Sequence, residues 1–452
     1  MNRPLKDMTT GSPLRLLIAF SLPLIFANVF QQLYTVVDTA IVGQGVGLDA
    51  LAALGAADWF YWMMLSAVQG VTAGFAIRLS QQFGARDEDG LRRTVAASAV
   101  LAVLAAAALT ALSELLVLPV LGFLRTPADI LPGAALYLRV MFGGLPVTML
   151  FNLTASVLRS LGDSRTPLYA TILASVLNVG LDLLFVFPLR WGIAGAAIAS
   201  VLAQGAASLV NLARLRALPL LRLSRADFDG WRGLGLPLLR LGLPLAAQNM
   251  VTAAGGMAVQ AVVNGFGALY IAGFTATNKL YGLLEIASIS YGYAVSTYAG
   301  QNYGAGDRRR IRRGVRAATA LSCATALVLA AALLAGGHVF VGLFISPENP
   351  ADATAALAIA LHYLRIMCLW LPALYLIFVF RSALQGLGRV MAPMLSGVLE
   401  TVLRVGVAFL AVPLWQEAIF YCEVTAWAGA ALLNLGAYLW LLRRWRIEEV
   451  TR

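Results

Sequence analysis

Charge is scarce in this chain. Only 12% of its 452 residues are Asp, Glu, Lys or Arg, where a soluble protein carries about a quarter. The longest polar interval, from Arg214 to Gly235, is no longer than a linker, so a large soluble domain is excluded. Histidine and cysteine are nearly absent: two and three copies. His338 and His362 form no cluster, and Cys323, Cys368 and Cys422 lie in separate apolar segments without metal-ligand spacing. Each cysteine reads as buried packing. No H-E-x-x-H or G-x-S-x-G pattern occurs. An intramembrane enzyme needs a nucleophile with its base, or a set of metal ligands, and neither is patterned here.

What the chain does have is apolar sequence: 60% hydrophobic residues and a mean hydropathy of +0.80. It falls into runs long enough to span a bilayer. The pattern predicts an all-α integral membrane protein with twelve transmembrane helices, in two pseudo-symmetric six-helix bundles. The first span starts at Ser12-Pro13, read as N-cap and first helical residue, and is too long for a cleaved signal peptide. The net charge of +11 does not point to nucleic acid, because the basic residues collect at alternate connections. They run from Arg3 and Lys6 through Arg92-Arg93, Arg214–Arg232 and Arg308–Arg316 to Arg443–Arg452. This positive-inside distribution predicts cytoplasmic N- and C-termini, with membrane lipids, anionic headgroups above all, as partners.

The second half of the chain repeats the first. QQFGARD at Gln81–Asp87 matches QNYGAGD at Gln301–Asp307, 220 residues on, and LPL recurs at Leu22–Leu24 and Leu243–Leu245. Further along, Pro146, Leu161-Gly162 and Pro167 answer Pro372, Leu387-Gly388 and Pro393 at a spacing of 226. Ordered matches of this kind mean duplicated bundles. The predicted division is 1–213 for an N-terminal lobe, 214–235 for a cytoplasmic linker and 236–452 for a C-terminal lobe. Six helices are an even number, so both lobes enter from one side and enclose a cavity.

Against this symmetry, two acids stand out. Asp38 closes the stripe Gln31, Tyr34, Asp38, and Asp182 closes Ser175, Asn178, Asp182. Each row steps by three and then four, so it lies on one helix face. The repeat positions hold Val259 and Ala408. An acid within a membrane is costly and marks function by default. Both acids lie 15 residues beyond a cytoplasmic-side proline, Pro23 or Pro167, a rise of roughly 22 Å. Tyr137 and Ser200 fall early in spans that enter from outside, at a similar depth. Carboxylate, amide and hydroxyl oxygens from Asp38, Asn178, Asp182 and Ser200 suit sodium. The same acids, crowded and poorly hydrated, suit a proton. No other cofactor is predicted. Pro23 shares a helix with Asp38 and is the candidate hinge. Gln31, Gln32, Met149, Asn152 and Ser175 form a mixed wall suited to an amphipathic organic molecule, and Glu285 is a further contact for a cationic one. In the second half, Glu400 and Arg404 are four apart and predict an ion pair.

Taken together, SLPLIFANVFQQLYTVVDTAIVGQGVG, LRSLGDSRTP, LNVGLDLLFV, WGIAGAAIAS and GQNYGAGD resemble the multidrug and toxic compound extrusion (MATE) family over nearly the whole chain. The resemblance implies a V-shaped antiporter exporting organic drugs or metabolites against H⁺ or Na⁺. It implies a cation site at Asp38, Asn178 and Asp182, supported by Tyr34 and Tyr137, and a helix-bending role for Pro23. Ser200 stands where many members have Thr, and Leu183 where a proline is common, so the outer end of that helix is expected to be straighter. The acids that some sodium-coupled members carry in the second lobe are not evident. The implied place is the plasma membrane of a prokaryote (the inner membrane if Gram-negative), and the implied state a monomer. A lipid-linked saccharide flippase of the same superfamily is the alternative, opposed by the acidic first lobe. A channel is opposed by an ion site in one half only.

Overall fold

The computed structural model describes residues 5–342 and 350–450. Arg3 and Arg452 of the basic pattern, and the last three residues of the ninth predicted span (314–345), lie outside the described residues. Among the described residues there is no β-strand. The thirteen α-helices are α1 (Pro13–Gly45), α2 (Leu48–Ala85), α3 (Glu88–Phe123), α4 (Leu131–Gly143), α5 (Leu145–Ser160), α6 (Arg165–Val186), α7 (Gly192–Arg216), α8 (Trp231–Asn264), α9 (Ala268–Gly304), α10 (Arg308–Gly342), α11 (Pro350–Gly386), α12 (Met391–Gly406) and α13 (Cys422–Val450). A wide turn, Val407–Ala411, continues α12.

Nine of these helices are long and apolar enough to cross a bilayer, and α4 with α5 make a tenth span bent by 47°. The bend falls at Gly144, where an added Cβ would run into Val201. Pro146 follows in the first turn of α5, where its missing N–H costs nothing. The helices α8 and α9 are 34 and 37 residues long but are interrupted by Pro237, Pro244, Gln248, Asn249, Lys279 and Glu285. Counted by length, they bring the total to the twelve expected. Helix α1 begins as the sequence predicts: Pro13 is its first residue and the Ser12 carbonyl accepts from the Leu16 N–H at 3.0 Å.

Two compact units form. One gathers the N-terminal residues up to Thr10, Ala19–Met250 and Gly300–Gly306. The other gathers Gly11–Ile18, Val251–Ala299 and the chain from Asp307. In the first, α2 packs against α3, α4 and α5, and α5 against α7. Phe60, Phe75, Leu138, Phe142, Leu145 and Met149 fill the space between them.

The internal repeat is written into the backbone. Arg86 and Gly306, 220 residues apart, both end a helix in the left-handed region (φ 58° and 74°). Asp87 and Asp307 then cap the next helix, accepting from the Gly90 and Arg310 N–H groups at 2.9 and 2.8 Å. Gly162 and Gly388 (φ 86° and 74°) pair in the same way. Within the first unit, the end of α2 meets the end of α9 backbone to backbone. A Cβ on Gly84 would strike the Gln301 carbonyl, and one on Gly304 the Gln81 carbonyl.

These glycines should not respond alike to alanine. Gly306 has nothing within 4 Å of an added Cβ, so Gly306→Ala should cost only the left-handed backbone strain, about 1 kcal/mol. Gly162→Ala adds a collision with the Lys6 carbonyl and should cost several times as much. Thermal unfolding of the two variants in one detergent measures the difference. Equal shifts would remove the Lys6 contact from consideration.

Candidate functional site

Three helices of the first unit bring the two acidic stripes together. Tyr34 and Asp38 lie one turn apart on α1, and Asn178 and Asp182 one turn apart on α6. Helix α7 carries Ser200 and packs closely along α6. The turn between α6 and α7 is fixed by Phe185 stacked on Trp191, ring centroids 4.7 Å apart, and by the Trp191 N–H donating to the Phe185 carbonyl at 2.9 Å. Arg190 adopts a left-handed φ of 54° within it. Helix α6 continues through Leu183 to Val186, so Asp182 lies on regular helix. Asn178 Nδ2 donates to Ser200 Oγ at 3.2 Å across the α6–α7 seam.

The carboxyls of Asp38 and Asp182 adjoin each other. Asp182 is 0% and Asn178 1% exposed; Asp38 is half-buried. Four oxygens here are buried and receive no hydrogen bond: Asp38 Oδ1, Asn178 Oδ1 and both carboxylate oxygens of Asp182. Among the described residues, no arginine, lysine or histidine forms an ion pair with either acid. An ionised carboxylate only accepts, and leaving a buried acceptor unmet costs about 1–3 kcal/mol, more for a charge. Two such groups side by side also repel. A proton on one of them, or a small cation between them, would remove both penalties.

Around this pair the structure places a shell of hydroxyls. Tyr34 is half-buried and Tyr137 buried, both within electrostatic reach of Asp38. The α2 residues Tyr61 and Asp58 belong to the same neighbourhood. Tyr61 adjoins Thr148 and Gln204, which are joined by a hydrogen bond of 2.8 Å. No polar stripe leads to Tyr61 in the sequence, since it is flanked by Phe60 and Trp62. Asp58, an acid within a span, is the only signal that could have found this part of α2.

The other sequence-predicted residues are dispersed. Gln31 and Gln32 are exposed on α1. Met149 is 2% exposed, within the apolar core. Asn152 Nδ2 donates to the Thr148 carbonyl and Ser175 Oγ to the Thr171 carbonyl, each at 2.9 Å and one turn back. Pro23 is half-buried within α1, where it removes one helical hydrogen bond. Glu285 lies on α9 in the second unit, against Tyr281.

The second unit handles its buried charge differently. Arg404 Nη2 contacts Glu400 Oε1 at 3.2 Å and Glu423 Oε2 at 2.8 Å, and Arg381 Nη2 contacts Glu400 Oε2 at 2.7 Å. The pair read from spacing, Glu400–Arg404, is therefore the middle of a four-membered chain. Here Glu400 and Glu423 each have a guanidinium; among the described residues of the first unit, neither Asp38 nor Asp182 has one.

Residues 23–184 and 244–410 both match the MatE family profile, and the two stretches begin at Pro23 and Pro244, the prolines of the repeated LPL. The chain is 32% identical over 385 residues to the probable multidrug resistance protein YpnP of Bacillus subtilis, covering 85% of each. It is 25% identical over 398 residues to the FAD transporter of Shewanella oneidensis, covering 86% of each. Among solved structures, the outward-facing conformation of a multidrug resistance MATE family transporter of the MOP superfamily has the same fold, with a TM-score of 0.88 at 22% identity over 100% of both chains.

Proposed function

The chain belongs to the MatE family of multi-pass membrane transporters, which are not enzymes, and from that premise we propose that it is a cation-coupled antiporter exporting amphipathic organic cations. The observation that carries the reading is the set of four buried oxygens on Asp38, Asn178 and Asp182 that receive no hydrogen bond. An uncompensated pair of acids is a poor structural device and a good receptor for H⁺ or Na⁺. Substrate is taken up from the cytoplasm while the site is vacant. Filling the site from outside then cancels its charge, alters how α1 docks, and releases the substrate. Pro23 lets α1 bend, because the helix already lacks a hydrogen bond there. The exposed Gln31 and Gln32 are the substrate contacts nearest the acids in sequence. Met149, Asn152 and Ser175 are occupied by core packing or by their own backbone. The alternating basic connections favour cytoplasmic termini in a prokaryotic plasma membrane. We take a single chain as the unit of transport.

The test is export of a panel of dye cations from proteoliposomes under separately imposed pH and sodium gradients. Export under one gradient and not the other identifies the ion. No response to either gradient refutes coupling. Ser200→Ala refines the answer. If sodium is the ion, losing one oxygen ligand should weaken its apparent affinity about tenfold, roughly 1.4 kcal/mol. If the proton is the ion, the pH dependence should hardly move. Sodium-driven export with unchanged affinity in Ser200→Ala would take Ser200 out of the site.

A further inference from the structure

Among the described residues ahead of α1, none of which takes part in ion coupling, Met8 is one of the most deeply buried in the chain. Met8 is 0% exposed. Its N–H donates to Gln301 Oε1 at 2.8 Å and its carbonyl accepts from Asn302 Nδ2 at 3.1 Å. Gln301 and Asn302 are themselves 0% exposed. Gln301 also donates through Nε2 to the Ser160 carbonyl at 2.9 Å. One amide side chain thus joins three pieces of backbone: the N-terminal segment, the end of α9 and the end of α5. Beside them the Lys6 carbonyl presses on Gly162, where no side chain fits. Burial lowers the pKa of the Lys6 ammonium, and the Arg165 charge adds to this. Asp7 accepts from the Thr9 N–H at 2.7 Å and closes a small turn around Met8.

A short non-helical segment has no ladder of its own, and its buried backbone groups need partners. Gln301 and Asn302 supply them, and both open the repeated QNYGAGD motif. The equivalent of Asn302 in the first half is Gln82, whose Oε1 is buried without a hydrogen bond and which borders a cavity of about 210 Å³ with Asp7, Thr9, Arg86 and Asp87. The second copy of the motif holds a backbone segment. It does so at the place where α2 and α9 touch through Gly84 and Gly304. At both glycines that contact is backbone against backbone.

Resting on the antiport reading, we propose that residues 5–10 are a strap that locks the α2–α9 crossing, and that Met8 must leave Gln301 and Asn302 before the cytoplasmic side can open. The physical reason is the reach of one side chain. Gln301 cannot stay on both Met8 and Ser160 once the end of α9 moves away from the end of α5. Opening therefore breaks all these hydrogen bonds together, and the strap sets how often it happens.

The test uses the full chain with its three cysteines replaced and Ser160→Cys as reporter. Inside-out vesicles are treated with a membrane-impermeant maleimide. Gln301→Met and Asn302→Leu keep side-chain size and remove the amide. Each should raise the labelling rate up to about tenfold, because each removes one of the two hydrogen bonds that hold Met8 and leaves a buried backbone group unmet. Unchanged labelling in both folded variants overturns the proposal. Should either variant fail to fold, hydrogen exchange on the wild-type chain decides. Peptides covering 5–10 should lose protection together with those covering 300–306 when a transported dye is added. A crossing that opens while 5–10 stays protected overturns it equally. Labelling and exchange need no ion gradient, so a failure of gradient-driven export would condemn the antiport reading without deciding the strap.

Discussion

Asp38→Asn and Asp182→Asn should each reduce gradient-driven export to the undriven background while leaving the protein folded and inserted. Asparagine has nearly the shape of aspartate but neither titrates nor carries charge. Either substitution leaves the adjoining pair with a single acid, which no longer repels its neighbour and has less reason to take up a cation. The loss at stake is large. One charge returning across 100 mV is worth about 2.3 kcal/mol, and 1.4 kcal/mol is tenfold, so each coupled ion supports a concentration ratio of roughly fiftyfold. Stability should move the other way. Both oxygens of Asp182 are buried without a donor, and removing an unpaired buried charge relieves a penalty. Unfolding temperatures should therefore stay level or rise. The measurement is dye export from proteoliposomes beside thermal unfolding of the same preparations. Full driven export in both variants would remove the site. A collapse in stability would show that the acids hold the fold.

Arg404→Met should destabilise the second unit by about 3–5 kcal/mol, the usual result of breaking a buried ion pair from one side. Arg404 is 4% exposed and serves both Glu400 and Glu423. Its loss leaves Glu423 with no cation and Glu400 with Arg381 alone. Arg404→Lys keeps the charge but not the fork that reaches two carboxylates, so it should recover only part of the loss. Replacing Arg381, Arg404, Glu400 and Glu423 together by apolar residues of similar volume should recover most of it, because an ion network often gains little over good packing. Thermal unfolding across the three variants checks the order. A single substitution as mild as the fourfold replacement would mean that the two glutamates are not held by Arg404.

The contrast between these two predictions was partly legible in the sequence, and its limits are physical. Polar residues spaced three and four apart in an apolar run must share a helix face, so Asp38, Asn178 and Asp182 could be read directly. Ser200 followed from depth alone, and Asn178 does reach it. Tyr61 could not be read, because one tyrosine among aromatic neighbours has no period to mark which way it faces. Glu423 carries no sequence signal for a related reason. It stands in the first turn of α13, where an acid is ordinarily explained by the helix dipole. The break between α4 and α5 was signalled by Pro146, but its position at Gly144 depends on Val201 of another helix. Residues 5–10 are too few to show any pattern. Their partners lie some 290 residues away, which no local reading can supply.

The glycine contact carries a consequence for ancestry. Gly84 lies against Gln301 and Gly304 against Gln81. Renumbered within each repeat, position 84 meets position 81 in both directions. That is the self-complementary geometry of a two-fold homodimer, preserved inside a single polypeptide.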